Sequence, residues 1–255
     1  IDLNGVAIPF NKKAFALGRL LATRPDQVLA LVEATKGPQL EPPATSLDEM
    51  IARREADLVL YQDAAYAARF RASVDKARTA GGDALGEAVA KSLYKLMAYK
   101  DEYEVARLYS DGRFEAAYAA QFAGGKPRVL LAPPLITRTD PATGRPKKIS
   151  FGPWIFKAFG VLAKLKGLRG SKLDIFGYSE ERRHERADIA AFEADIDRLC
   201  TDVNPANIGL AVAIAKLPMD VRGFGPVKDK ARGEVATRRT ALWAKWPGLA
   251  TRAAA

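Results

Sequence analysis

LYKLMAYKDEYEVARLY, residues 93–109, decides between a helical and a sheet-based reading of this chain. Val89, Leu93, Leu96, Tyr99, Tyr103 and Ala106 follow one another at three- and four-residue steps, the spacing of one helical face. Two of the tyrosines at 94, 99, 103 and 109 therefore lie in the apolar stripe, and packing is their expected work. Lys100, Glu104 and Arg107 run along one edge of it. Pairs of Lys100 with Glu104 and of Glu104 with Arg107 are expected there, each worth about 0.2–0.5 kcal/mol when exposed.

The same period extends upstream. Ser46 with Glu49 three residues later has the form of a capping box, so a long helix is expected to start there. It runs through Leu58, Tyr61, Ala65 and Ala68, with Val59, Tyr66, Phe70 and Val74 beside them, and stops at Gly81 and Gly82. Before it, KGPQLEPPATS is rich in proline and polar residues and reads as a linker, placed at 37–45. The first 36 residues read as a strand from Leu3 to Ile8, then two helices. The first has Asn11 as cap and Phe15, Leu17, Leu20 and Leu21 on its apolar side; the second opens with Pro25. A chain that begins at Ile1 inside a strand-like run is expected to be a piece of a longer polypeptide.

Downstream, Asp111-Gly112 supplies a turn, and the β signal gathers at 128–151. Val129 to Leu131 and Leu135 to Thr137 are strand-like, DPATG has hairpin chemistry, and residues 148–151 return. Pro133 and Pro134 cannot donate to a ladder, which places them at an edge or bulge. Helices then follow over Trp154 to Leu165, after a cap at Ser179, from Asn204-Pro205, and beyond the RGFGP break at 222–226 to Trp243 and Trp246. The expected fold is α+β, predominantly α-helical with a small antiparallel hairpin-based sheet, its mostly helical domain spanning 46–255.

With 255 residues, 48% of them hydrophobic, the chain can bury a substantial core. Its net charge of +10 favours acidic partners, but Lys and Arg are interleaved with Asp and Glu rather than blocked, which weighs against a nucleic-acid-binding module. One cysteine, Cys200, rules out an intrachain disulfide and fits a reducing cytoplasm. No apolar run approaches the roughly 20 residues of a membrane span. His184 is the only histidine and lacks metal-ligand company; no phosphate-loop, dinucleotide or nucleophile-elbow motif occurs. Arg182, Arg183 and Arg186 crowd one helical turn. They either grip anionic groups of a neighbour or are balanced by Glu181, Glu185 and solvent.

Several segments together resemble the C-terminal region of bacterial indolepyruvate ferredoxin oxidoreductases, of the 2-oxoacid:ferredoxin oxidoreductase family. LNGVAIPFNKKAFALGR at 3–19 looks like the end of that family's gamma domain, and YQDAAYAARF at 61–70 like its next segment. LYKLMAYKDEYEVARLY, LAPPL at 131–135, FGPW at 151–154, LKGLRG at 165–170, DIFGYSEERRHER at 174–186 and RGFGPVK at 222–228 follow in the family's order. The resemblance covers nearly the whole chain. It implies an accessory or docking domain, residues 1–36 being a gamma-domain tail. Its parent would oxidatively decarboxylate aryl pyruvates to aryl-acetyl-CoA and pass electrons to ferredoxin.

For the parent the resemblance implies thiamine diphosphate, magnesium and iron–sulfur clusters. This chain has neither the GDG and NN thiamine motif nor the cysteines for a cluster, so no catalytic, cofactor or metal residue is assigned. The expected partners are the remaining parent domains, with ferredoxin and CoA reached through them. Candidate docking or anion contacts are Lys100, Arg107, Arg182, Arg183 and Arg186. A free-standing enzyme with a site at Tyr99, Lys100 and Glu104 is the other alternative.

Overall fold

The computed structural model describes residues 1–5, 7–35, 44–122, 124–132, 137, 147–223 and 225–246. The chain divides into two compact units. One comprises Ile1–Pro43 and Ala116–Ala123, the other Ala44–Glu115 and Gly124–Ala255. The described residues form ten α-helices, three short 3-10 segments and one two-stranded antiparallel sheet, which is the predominantly helical α+β architecture expected.

In the first unit, α1 (Ile8–Thr23) packs on α2 (Pro25–Thr35). The strand expected at Leu3 to Ile8 does not form. Asp2–Asn4 is a 3-10 turn, and Gly5 (φ 65°) and Ala7 (φ 48°) take left-handed backbone that ends any extended run. Helix α1 then starts three residues before the expected cap Asn11, with Pro9 in its first turn. Its expected apolar side is largely exposed at Phe15, Leu17 and Leu21. Pro25 opens α2 as expected.

The second unit holds the core. Helix α3 (Leu47–Tyr61) packs on α4 (Ala64–Met97), and α4 also packs on α8 (Glu180–Asp202) and α9 (Ile208–Lys216). Its largest fully buried side chains include Ile51, Leu58, Tyr61, Phe70, Leu85, Leu93, Met97, Ile196, Leu199 and Ile214. Fully burying one such aliphatic side chain contributes roughly 1.5–3 kcal/mol. Helix α5 (Glu102–Ser110) packs on α7 (Trp154–Lys164) over a smaller cluster of Ala106, Val129, Ile155 and Phe159. Helix α6 (Arg113–Gln121), absent from the sequence reading, follows the turn at Gly112.

Strands β1 (Val129–Leu131) and β2 (Ile149–Phe151) pair with Val129 opposite Phe151 and Leu131 opposite Ile149, the two arms expected. The hairpin loop DPATG, residues 133–136, most of the expected linker and the tail beyond 246 lie outside the described residues; Thr137 is described but is not in a strand. Helix α10 (Pro226–Ala244) closes the element order after the RGFGP break, where Gly223 and Gly225 have positive φ.

Helix ends depart from expectation in five places. Ser46 does accept from Glu49 N at 3.1 Å, but the Glu49 carboxylate turns to Thr45 N and Oγ1, both at 2.6 Å, rather than to Ser46. The long helix from Ser46 breaks at residues 62–63, where Asp63 caps Tyr66 N at 2.8 Å and starts α4. The expected stop at Gly81 and Gly82 is a kink within α4, Gly82 having φ 69°. The 93–109 stretch is two helices, interrupted at residues 98–101, because the Asp101 side chain accepts from Glu104 N at 2.8 Å and restarts the helix. Helix α9 begins at Ile208, later than Asn204 promised: the Asn204 and Asn207 side chains bond Ala206 N and Asn204 N and hold a turn instead.

Candidate functional site

The candidate residues converge on the α4–α5 junction and the segment that covers it in the second unit. Where α4 ends, its carbonyls lose their intrahelical donors. Tyrosine hydroxyls serve this end and the gap after it: Tyr66 Oη donates to Met97 O and Tyr61 Oη to Tyr99 O, each at 3.0 Å. The aromatic run is therefore both core and cap. Burial and neighbouring groups push the Tyr61 and Tyr66 hydroxyls far above the usual phenol range, so they stay protonated donors.

One buried cation joins both helix breaks. Arg169 follows a 3-10 turn (Leu165–Leu168), and its Nε and Nη2 donate to the two Asp101 oxygens at 2.6 and 3.0 Å. Its Nη1 donates to Tyr61 O at 2.7 Å and Gln62 Oε1 at 2.6 Å, at the α3–α4 gap. The guanidinium also stacks 3.8 Å from the Tyr61 ring centre. Side-chain exposure is 6% for Arg169 and 3% for Asp101. Burial alone would lower the arginine's pKa, and the bonds and charge of Asp101, together with Tyr61 and Tyr99, outweigh it.

Residues 170–179 form a turn braced from inside. The buried Asp174 carboxylate accepts from Gly170 N at 2.7 Å, Gly177 N at 3.0 Å and Tyr103 Oη at 3.2 Å. Burial, then the Asp174 carboxylate, pushes the Tyr103 hydroxyl up to about 12. A Cβ at Gly177 would collide with the Asp174 carboxylate, so this close approach requires glycine. The same turn points Leu173, Ile175 and Tyr178 into solvent, at 70%, 61% and 64% exposure. Ser179 then caps α8 by accepting from Arg182 N at 3.3 Å, as its sequence predicts.

The five candidate cations divide. Arg107 is spent within the fold: Nε and Nη2 grip Glu104 at 2.8 and 2.7 Å, and Nη2 reaches Asp57 at 3.1 Å. Glu104 is thus engaged by Arg107, as expected, while the expected Lys100–Glu104 pair does not form. Arg182 pairs with Glu185, lies 3.7 Å from Glu102, donates to Lys100 O at 3.3 Å and stands over the Tyr99 ring. Arg186 donates to Gly177 O at 2.7 Å and backs the turn. Lys100 and Arg183 are exposed, and among the described residues neither has an ion-pair partner. Tyr99, Lys100 and Glu104 do not assemble into one polar constellation, since Tyr99 packs in the core and Glu104 faces Arg107.

Sequence reasoning missed Arg169, Asp101 and Asp174, the groups that organise the site. The spacing of Asp101 and Glu104 in DEYE was a readable cap signal; the reach of Arg169 back to residues 61–62 and 101 left no local trace. Cys200 is partly exposed and packs beside the core, where burial raises its thiol pKa; His184 lies on the exposed face of α8. One thiol and one imidazole do not fit an iron–sulfur ligand set. No group of three or more His, Cys, Asp or Glu among the described residues is placed to hold a metal ion. No helix among them is long and apolar enough to cross a membrane.

Residues 47–241 match the family described as "Family of unknown function (DUF6537)", and the chain belongs to that family. No curated protein and no solved structure matches it.

Proposed function

We propose that the chain is the C-terminal accessory and docking part of an indolepyruvate ferredoxin oxidoreductase, a cytoplasmic enzyme of aryl-pyruvate oxidation. The observation that carries this reading is the braced turn at residues 170–179. Apolar side chains held outward by a buried carboxylate lose little further freedom on binding, so such a surface suits a lasting protein contact. Arg183, free and exposed one turn into α8, adds a cation beside it, and arginine is enriched at protein interfaces.

The occupant we assign is an acidic-rimmed face of the parent's remaining domains. Those domains carry the thiamine diphosphate, magnesium and clusters, and deal with CoA and ferredoxin; this chain contributes position rather than chemistry. Combining Ile175→Asp with Arg183→Glu in the parent enzyme tests it. Both side chains are exposed, so the fold should persist by circular dichroism. Assembly measured by native mass, or reduction of ferredoxin, should fall by about tenfold or more, consistent with losing 1.4 kcal/mol of contact. Dye reduction should survive. Unchanged assembly and unchanged ferredoxin kinetics would remove this surface from docking.

A further inference from the structure

A second feature lies outside the braced turn. A groove of about 550 Å³ opens between the end of α4, the first turns of α8 and the segment leading into α10. Five cations line it, Lys95, Lys100, Arg182, Arg222 and Lys228, against three carboxylates. The carboxylates are already engaged. Glu185 pairs with Arg182 and with Lys228 at 2.8 Å, Asp188 with Arg232 at 3.0 Å, and Glu181 lies 4.0 Å from Lys228.

Three cations keep unmet charge. Lys100 has no ion-pair partner among the described residues, and the exposed Arg222 makes one long bond, Nε to Met219 O at 3.3 Å. Lys95 is half-buried and held only by carbonyls, those of Pro218, Met219 and Val221 at 2.9, 3.0 and 2.8 Å. Burial, followed by the facing Arg222, depresses its pKa, with Lys228 adding to the effect and Asp220 opposing it. Like charges facing one another in a concave site cost free energy that a multivalent anion would relieve.

We propose that this groove binds a phosphate-bearing small molecule of the diphosphate class, contacted by Lys100, Arg222 and Lys228. A diphosphate offers several charged oxygens at once and matches the free Lys100 ammonium, the fork-shaped Arg222 guanidinium and Lys228, which it would share with Glu185; a lone carboxylate matches one. The inference rests on the groove and does not depend on the docking assignment.

The test is calorimetric titration of the 255-residue chain with inorganic pyrophosphate at low and near-physiological salt. Saturable one-to-one binding is expected, weakened about tenfold or more by Lys100→Ala combined with Arg222→Ala, the loss of about one charge-assisted contact. A control removing two exposed lysines elsewhere, Lys157→Ala with Lys172→Ala, should leave binding unchanged. No saturable binding, or equal weakening in both double variants, would overturn the proposal, the latter by assigning the effect to overall charge. Citrate binding as tightly as pyrophosphate would overturn the phosphate assignment. Should the double variant not fold, either single substitution must weaken binding several-fold for the proposal to stand.

Discussion

Arg169 and Lys95 are both cations withdrawn from solvent in the second unit, and both donate to backbone carbonyls at the end of a helical element. They differ in one partner. Arg169 meets the buried carboxylate of Asp101, and its pKa is raised despite burial. Lys95 meets no carboxylate, faces another cation, and its pKa is lowered. The first arrangement is electrically closed and serves the fold. The second is open, which makes it the better place to look for a ligand.

The largest expected effect tests the closed half. Arg169→Met strands the Asp101 carboxylate together with the Tyr61 carbonyl and the Gln62 amide oxygen, and should cost about 3–5 kcal/mol in urea unfolding. A loss below about 1 kcal/mol would mean the two helix breaks hold without it. Lys95→Met should cost less, about 1–3 kcal/mol, because three carbonyls lose donors while a disfavoured buried charge also disappears.

Its pH dependence sharpens the contrast. A lysine whose folded pKa is depressed contributes most above its unfolded value, about 10.4, and that contribution is lost as pH falls through the folded value. Wild type should therefore gain stability over the Met variant as pH rises toward that range, in salt-matched thermal unfolding. A flat difference would deny Lys95 its unmet charge. Smallest is Tyr103→Phe, expected at about 0.5–1.5 kcal/mol, since Asp174 keeps its two backbone donors. A larger loss would make the hydroxyl, not the glycine amides, the brace of the exposed turn.

The helices themselves were legible because their periods are local. Ile189, Phe192, Ile196 and Leu199 on α8, and the Ser46 and Ser179 caps, stand where spacing puts them. The break at residues 62–63 was not legible, because the apolar stripe continues across it, and at 98–101 the same continuity hid a break whose restart the Asp101–Glu104 spacing did signal. What holds them is an arginine some seventy to a hundred positions away, and no window of sequence contains that contact. The strand expected near Leu3 failed for the opposite reason: an apolar run was read without asking what Gly5 does to the backbone. Among the candidate cations, Lys100 and Arg183 remain free while Arg107 and Arg182 are tied up by carboxylates. Charge alone does not separate these cases; the distance to the nearest acid does.

The kinked α4 has a consequence for how the protein is made. Its neighbour α3 precedes it directly, but α8 ends roughly a hundred residues after α4 does. At synthesis rates of about 5–20 residues per second, the face of α4 bearing Leu85, Val89 and Leu93 waits on the order of 5–20 seconds for α8 and α9 to emerge and cover it. During that interval the nascent chain is an apolar helical pair awaiting closure, a substrate for chaperones before it is a folded domain.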